Sequence, residues 1–140
     1  QLMSELGLSS LANQKAYTLS GGECRRAEIA RSLAIDPNFM LLDEPFSGID
    51  PIAVQEIKQL VFQLKERGLG ILITDHNAAE MLDIVDRAYL ITDGKISLSG
   101  TPTELLSSQM ARERYFGNSF NLPAKKTPSL NPSDEAGHTN

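Results

Sequence analysis

The sequence predicts an α/β fold built on a parallel sheet. Two apolar runs, residues 39–42 and 69–74, are typical of strands that are covered on both faces. Between them lies a helix pattern that opens with Asp50-Pro51, an N-cap followed by proline at the first helical position, and ends at Gly68. A strand, a helix and a strand in this order imply a right-handed parallel crossover.

The part of the chain before the first strand is predicted to be helical. Residues 1–17 suggest short helical turns, and residues 22–35 show apolar side chains at spacings of three and four. A turn at residues 36–38 ends this helix. Its apolar face is predicted to carry Ala27, Ala30, Leu33 and Ala34. Its solvated face is predicted to carry Arg25, Arg26 and Arg31.

The part after the second strand is predicted to hold a helix, a β-hairpin and a closing helix. The helix covers about residues 78–85, and Asp93-Gly94 between two short apolar runs is a strong hairpin signal. A capping box at residues 101–104, with proline in the first turn, opens a helix that is expected to run to Tyr115.

Composition divides the chain at about residue 120. Residues 1–120 are expected to fold, whereas residues 121–140 are rich in proline and polar side chains and are predicted to be a disordered tail. Because Gln1 is not an initiator and helical patterning begins at once, we expect the natural N-terminus to be missing.

Charge and cysteine content narrow the class of protein. A net charge of −5 in 140 residues argues against nucleic acid as the main partner. No apolar run approaches the roughly 20 residues that cross a bilayer, so any membrane association is expected to go through a partner protein. Cys24 is the single cysteine, which excludes an internal disulfide and fits a reducing cytoplasm.

The stretch Leu19-Ser20-Gly21-Gly22-Glu23 opens the first long helix and allows two interpretations. Ser20 and Glu23 have the spacing of a capping box, which is a structural role. That role leaves Gly21 and Gly22 unexplained, because each glycine costs about 1 kcal/mol relative to alanine in a helix. Free amides at a helix start bind phosphate well, so the glycines are typical of a phosphate site.

Polar side chains follow both predicted strands. Asp43 and Glu44 come directly after the first strand, and His76 follows the second. Because the carboxyl ends of parallel strands meet at one edge of a sheet, we expect these side chains to lie close together. Asp43 is a candidate Mg²⁺ ligand, acting through a bound water, and Glu44 a candidate general base.

Structural roles for the same residues remain open. Asp43 and Glu44 can be a polar exit from a strand that Pro45 ends, and a single histidine is more often structural than catalytic. Asp75 or Asn77 capping the next helix would account for the residues around His76. Asp50 has a strong structural role as the N-cap, and Ser47-Gly48 forms a flexible turn near the same edge.

These motifs, in this order, resemble the ATPase subunit of ATP-binding cassette (ABC) transporters. Residues 19–23 look like the signature motif, 39–45 like Walker B with its catalytic glutamate, 47–50 like the D-loop, and His76 like the switch histidine. The resemblance covers residues 1 to about 120 and corresponds to the C-terminal half of that domain. It implies a P-loop NTPase-like sheet with flanking helices, part of the helical subdomain, and a C-terminal hairpin plus helix.

The resemblance also implies a mechanism. Two subunits would close head to tail around two ATP molecules with Mg²⁺, and transmembrane permease subunits would respond on the cytoplasmic face of the inner membrane. Ser20 and the amides of Gly21 and Gly22 would contact the γ-phosphate held by the other subunit. The other cofactor-binding residues would be Leu19, Glu23, Ser47 and Asp50, and Asp50 would help to couple the two sites. No G-x-x-x-x-G-K-[ST] loop is present, since the only Gly-Lys pair, at Gly94, is followed by Ile96.

Several stretches are similar to the ATPases of lipopolysaccharide export. They are residues 19–34, 43–58, 68–77, 100–105 and 114–117. The ATPases of branched-chain amino acid importers are near relatives, so a role in import stays open. Two further hypotheses are a catalytically incompetent fragment, and an ABC-type ATPase of DNA maintenance or translation, which the acidic charge disfavours.

Overall fold

The computed structural model describes residues 1–116. The helices are α1 (Leu2–Glu5), α2 (Gly21–Leu33), α3 (Pro51–Glu66), α4 (Ala78–Leu82), α5 (Pro102–Ser107) and α6 (Gln109–Ala111). The strands are β1 (Phe39–Asp43), β2 (Gly70–Thr74), β3 (Ala88–Thr92) and β4 (Lys95–Gly100). Short 3-10 turns lie at Ser9–Leu11 and Ala16–Thr18, and a π-helical turn at Arg112–Phe116. The polar tail predicted for residues 121–140 lies outside the described residues.

Strands β1 and β2 pair in parallel, as predicted. The register runs from Phe39 opposite Gly70 to Asp43 opposite Thr74, so both strands end at the same level. Helix α3 makes the connection, and it begins where Asp50 accepts hydrogen bonds from the first-turn amides of Ile52 and Ala53. The α/β fold with a parallel crossover is therefore confirmed.

The core lies between one face of the parallel pair and helices α2 and α3. Helix α3 contributes the largest share, because its apolar residues recur at helical spacing and are buried. The buried cluster consists of Leu6, Leu8, Ile29, Met40, Leu42, Phe46, Val54, Ile57, Leu60, Val61 and Leu64. On α2 the deepest side chain is Ile29, whereas Ala34, predicted on the core face, is exposed beyond the end of the helix.

The prediction that both strands are covered on both faces is wrong for the residues described. Burial alternates along β1: Met40 and Leu42 are buried, while Phe39 and Leu41 are 58% and 71% exposed. Leu72 on β2 is also exposed. Helices α2 and α3 pack on one face only, and no element within residues 1–116 covers the other. The outer face of the pair is therefore apolar and open.

The hairpin is confirmed and the closing helix is not continuous. Strands β3 and β4 pair antiparallel around Asp93 and Gly94, which both have positive φ, as a tight hairpin turn requires. The closing segment breaks at Ser108, whose extended backbone ends α5 and whose hydroxyl then accepts a hydrogen bond from the Ala111 N–H at the start of α6. Serine favours such cap positions, which explains the break.

Helix α4 is shorter than predicted and is held against α3 by a buried lysine. Lys58 is only 6% exposed and forms ion pairs with Glu80 and Asp83 on or next to α4. Burial acts to lower the pKa of Lys58, but the hydrogen bonds to Asp83 and Glu80 outweigh it and raise that pKa above its ordinary value. The lysine therefore stays charged and joins the two helices.

Candidate functional site

The two parallel strands end side by side and are tied to each other at their carboxyl ends. The Glu44 N–H donates to the Thr74 carbonyl at 2.7 Å, which extends the strand pairing one residue beyond β1. The Thr74 hydroxyl donates to the Asp43 carboxylate. These two bonds hold the carboxyl ends of β1 and β2 together, so the polar residues that follow the two strands lie side by side.

Glu44 and His76 meet at this edge. His76 Nδ1 lies 3.3 Å from Glu44 Oε1, and both side chains are more than half exposed. Glu44 has a φ of 44°, which is unusual for a residue other than glycine. Arg25 on α2 donates to the Glu44 carbonyl at 3.3 Å, which ties the peptide of Glu44 to that helix. A carboxylate and an imidazole in contact with solvent can together orient and deprotonate a water molecule.

Asp75 also belongs to this site. Its contact with the loop after β1 was not predicted from the sequence. Its side chain is 1% exposed. Asp75 Oδ2 accepts from the Phe46 N–H at 3.2 Å, and Oδ1 accepts from the Asn77 N–H at 2.8 Å. The next helix is capped by Asn77, whose side chain accepts from the Glu80 N–H. Of the two predicted caps, Asn77 is therefore the one that caps α4.

The start of α2 has the capping box that Ser20 and Glu23 predict. Ser20 Oγ accepts from the Glu23 N–H at 3.3 Å, and Glu23 Oε2 accepts from the Ser20 N–H at 2.8 Å. The backbone hydrogen bond from Ser20, followed by the one from its hydroxyl, lowers the pKa of Glu23 below its ordinary value of 4.5. Leu19, directly before the box, is half-buried.

The two glycines of this motif lie against the protein's own chain. A Cβ placed on Gly22 would lie 2.6 Å from the Cβ of Ala53 on α3. A Cβ placed on Gly21 would lie 3.1 Å from Cγ2 of Ile49 and 3.3 Å from the Gly48 carbonyl oxygen. The close contacts at these glycines are made by the loop before α3 and by the first turn of α3.

Ser47 and Asp50 belong to the same loop. The Ser47 N–H donates to the Glu44 carbonyl at 3.1 Å, which closes a tight turn after the first strand. Asp50 Oδ1 accepts from the Ile52 and Ala53 amides at 2.9 and 3.0 Å, so its predicted role as N-cap is confirmed. Both residues are exposed.

The prediction that the arginines of α2 form a solvated face is wrong for two of them. Arg25 pairs with Glu28 at 2.8 Å in addition to its bond to Glu44. Arg26 pairs with Glu56 on α3 and its side chain is only 18% exposed. Arg31 is exposed, as predicted. Helix α2 is therefore fastened to both the strand exit and α3 by charged groups.

Asp43 is the candidate residue whose position suits the binding of a magnesium ion. Within residues 1–116, no group of three or more His, Cys, Asp or Glu side chains is arranged to hold a metal. Asp43 is exposed at the strand exit and can offer a carboxylate oxygen. Mg²⁺ is commonly bound by one or two carboxylates together with water and substrate phosphates, and Asp43 fits that arrangement. None of the helices in this part of the chain has both the length and the apolar character needed to span a bilayer.

Comparison with known proteins finds similar sequences among the ATP-binding proteins of ABC transporters. Residues 1–47 match the family described as ABC transporter. Over 122 residues the chain is 53% identical to the lipopolysaccharide export system ATP-binding protein LptB of Acidithiobacillus ferridurans and 48% identical to that of Escherichia coli K12. In both cases the match covers 87% of this chain and 51% of the relative. The chain thus spans about half the length of these curated relatives.

A solved structure extends the likeness to the fold. A nucleotide-free ATP-binding cassette from an ABC transporter superposes with a TM-score of 0.75 at 32% identity, over 83% of this chain and 47% of the other. In its motifs, its sequence identity and its fold, the chain is similar to the ATP-binding proteins of ABC transporters.

Proposed function

We propose that this chain is the C-terminal half of an ATP-hydrolysing subunit that powers lipopolysaccharide export. The observation that carries the proposal is the contact between Glu44 and His76 at the shared edge of β1 and β2. The names of the relatives support the choice of cargo. They are about twice as long as the matched part, so activity, cargo and partners are inferred for the complete protein.

In the proposed reaction Glu44 is the general base. Its carboxylate accepts a proton from the water that attacks the γ-phosphate, while His76, 3.3 Å away, holds the carboxylate and the phosphate in place. Asp43, held by the Thr74 hydroxyl, would bind Mg²⁺, which when present neutralises charge on the phosphates. The backbone bonds between the strand exits keep the three side chains in register.

The start of α2 has a different role in this proposal. Its free amides and the positive end of the helix would close over ATP that is held by a second subunit, with the pair arranged head to tail. Asp50 would couple the two sites, because it begins α3, whose first turn packs on Gly22. Transmembrane permease subunits would receive the motion on the cytoplasmic face of the inner membrane.

The first test concerns the chain alone. Residues 1–140 lack a P-loop, so we expect no Mg²⁺-dependent ATP hydrolysis from the purified chain. A malachite-green phosphate assay measures this directly. Robust turnover would contradict the expectation and would mean that the motifs here suffice.

The second test uses the complete subunit, defined as residues 1–140 together with a P-loop-bearing segment. We expect Glu44→Gln to lower kcat by at least about 10²-fold, the range typical of removing a general base, and to leave a stable ATP-bound dimer. Glu66→Gln, at the exposed end of α3, is the matched control and should hydrolyse ATP normally. Unaltered hydrolysis in the Glu44 variant would remove Glu44 as the base.

The cargo needs its own experiment. The complete subunit should hydrolyse ATP faster when it is reconstituted with its permease partners and lipopolysaccharide. Stimulation by branched-chain amino acids instead would support a role in import, the alternative that the sequence resemblance leaves open.

A further inference from the structure

We propose that Asp75 is a positioning residue, whose buried carboxylate joins the two strand exits and so holds Glu44 against His76. The inference rests on the proposed function, which assigns hydrolysis to that pair. Asp75 itself touches no reacting atom in this scheme. It acts through the two loops that carry the pair, and its Oδ1 also lies 3.7 Å from His76 Nδ1.

Each carboxylate oxygen of Asp75 is bonded to a different loop. Oδ2 accepts from Phe46, two residues after Glu44, and Oδ1 accepts from Asn77, one residue after His76. One side chain thus bridges the loop that carries the candidate base and the loop that carries the histidine. The bridge crosses 29 positions of sequence, so it fixes tertiary rather than local geometry.

The two amides that Asp75 binds, those of Phe46 and Asn77, each need a hydrogen-bond acceptor. A carboxylate accepts at both oxygens, whereas an asparagine would turn an NH₂ group towards one of the two amides. The Asp75 side chain is 1% exposed, so water cannot readily replace a lost bond. A buried amide that loses its acceptor costs about 1–3 kcal/mol, and moving the loop away from its neighbour is one way to relieve that cost.

Helix capping does not account for this residue. The side chain that caps α4 is Asn77, which accepts from Glu80. The strand pairing that aligns the two exits ends with the bond between Glu44 and Thr74. Beyond that bond the two chains leave the sheet, and the Asp75 bridge continues the alignment up to the residues that carry the pair.

The test is steady-state ATP hydrolysis by the complete subunit carrying Asp75→Asn. We expect kcat to fall about 10- to 100-fold, since a displacement near 1 Å can cost that much, while KM for ATP changes less than about two-fold. Asp86→Asn is the matched control, because Asp86 is a surface residue whose side chain is 77% exposed. Wild-type kcat in the Asp75 variant would overturn the proposal.

A double-mutant cycle separates positioning from general stability. If Asp75 acts through His76, then adding Asp75→Asn to His76→Ala should lower kcat less than about two-fold further, because residues that act as a unit are not additive. A loss that multiplies fully on the two backgrounds would overturn the proposal, because Asp75 would then act independently of the contact between Glu44 and His76.

The same set of variants separates this inference from the function beneath it. If Glu44→Gln and His76→Ala both leave hydrolysis unchanged, the proposed function fails and Asp75 has no pair to position. If those two lose activity and Asp75→Asn does not, only the role of Asp75 is overturned.

A wild-type measurement covers the case in which Asp75→Asn does not fold. Amide hydrogen exchange by NMR should show Phe46 and Asn77 protected by about 100-fold or more, as expected for bonded amides in a stable region. Exchange of either amide at the rate of an unstructured chain would overturn the bridge.

Discussion

Helices α2 and α5 begin with the same four-residue device, yet only one of them is a candidate ligand site. In each, a hydroxyl accepts from the glutamate N–H at 3.3 Å, and the glutamate carboxylate accepts from the N-cap N–H at 2.8 Å. In each, the backbone bond from the N-cap residue, Ser20 or Thr101, is the main cause of a lowered glutamate pKa. The capping box is therefore a structural device that α2 and α5 share.

The difference between the two helix starts lies inside the box. Helix α5 has Pro102 in its first turn, which has no N–H to offer. Helix α2 has Gly21 and Gly22, which keep their amides and let the loop before α3 pack closely. Phosphate binding and close packing both use these glycines, and the variants below separate the two uses.

The largest stability effect is expected for Gly22→Ala. The added Cβ would clash with Ala53 on α3, so we expect the free energy of unfolding to fall by about 2 kcal/mol, as for other overpacked sites. Chemical denaturation measures this. The paired variant Gly100→Ala, before α5, should cost less. There the nearest atom is a Glu104 carboxylate oxygen, which can move aside with the loss of its hydrogen bond from the Thr101 N–H.

The cause can be checked by repair. Ala53→Gly removes the clashing atom, so the double variant with Gly22→Ala should regain stability relative to Gly22→Ala alone. No recovery would mean that the cost at Gly22 comes from the backbone rather than from contact with α3.

The next effect is the loss of the caps. Ser20→Ala and Thr101→Ala should each lower stability by about 1 kcal/mol, the usual cost of removing an N-cap hydroxyl. Thermal unfolding of both variants compares the two boxes directly. Only Ser20→Ala should also slow ATP hydrolysis in the complete subunit. If the two variants hydrolyse ATP at the same rate, both capping boxes have only a structural role.

Gly21→Ala should have a smaller effect on stability. Its Cβ would lie 3.1 Å from Cγ2 of Ile49 and 3.3 Å from the Gly48 carbonyl oxygen, and the gain of about 1 kcal/mol in helix propensity offsets this crowding. We expect a net change below about 0.5 kcal/mol by the same denaturation assay. A fall in ATP-dependent dimerisation at unchanged stability would favour phosphate binding at this glycine, whereas unchanged dimerisation would favour packing.

The smallest effect is the pH dependence of the two glutamates. Because the folded-state pKa of Glu23 is lowered, its contribution to stability is present above pH 4.5 and is lost as the pH falls through that lower pKa. The same sign holds for Glu104. Melting temperatures of Glu23→Gln and Glu104→Gln, measured from neutral to acid pH, should fall less steeply than in the wild type. A steeper fall would reverse the assigned direction.

Local signals predicted the elements, and contacts over long distances decided the rest. The N-cap Asp50, the hairpin turn at Asp93 and the capping boxes follow from adjacent residues, and all are present. Exposure of Leu41 could not be predicted, because an apolar strand residue is buried only if another element covers it. The bridge made by Asp75 could not be predicted from neighbouring residues, because its partner Phe46 is 29 positions away in the sequence.

The candidate site likewise has features that the sequence predicts and features that only the fold determines. Parallel pairing predicts that Glu44 and His76 share an edge, and they lie in contact, although their roles remain predictions. The partner of the two glycines could not be predicted, since crowding by Ala53 arises from how α3 crosses α2. The ion pairs of Arg26 and Lys58 arise in the same manner.

The left-handed backbone of Glu44 has a consequence for attempts to engineer this protein. A side chain in that conformation costs about 1 kcal/mol or more, and glycine would relieve the strain. Selection for thermal stability alone would therefore favour Glu44→Gly and enrich variants that fold better but lack the carboxylate. Libraries built on this chain need a screen for hydrolysis from the first round, because at this position robustness and activity favour opposite residues.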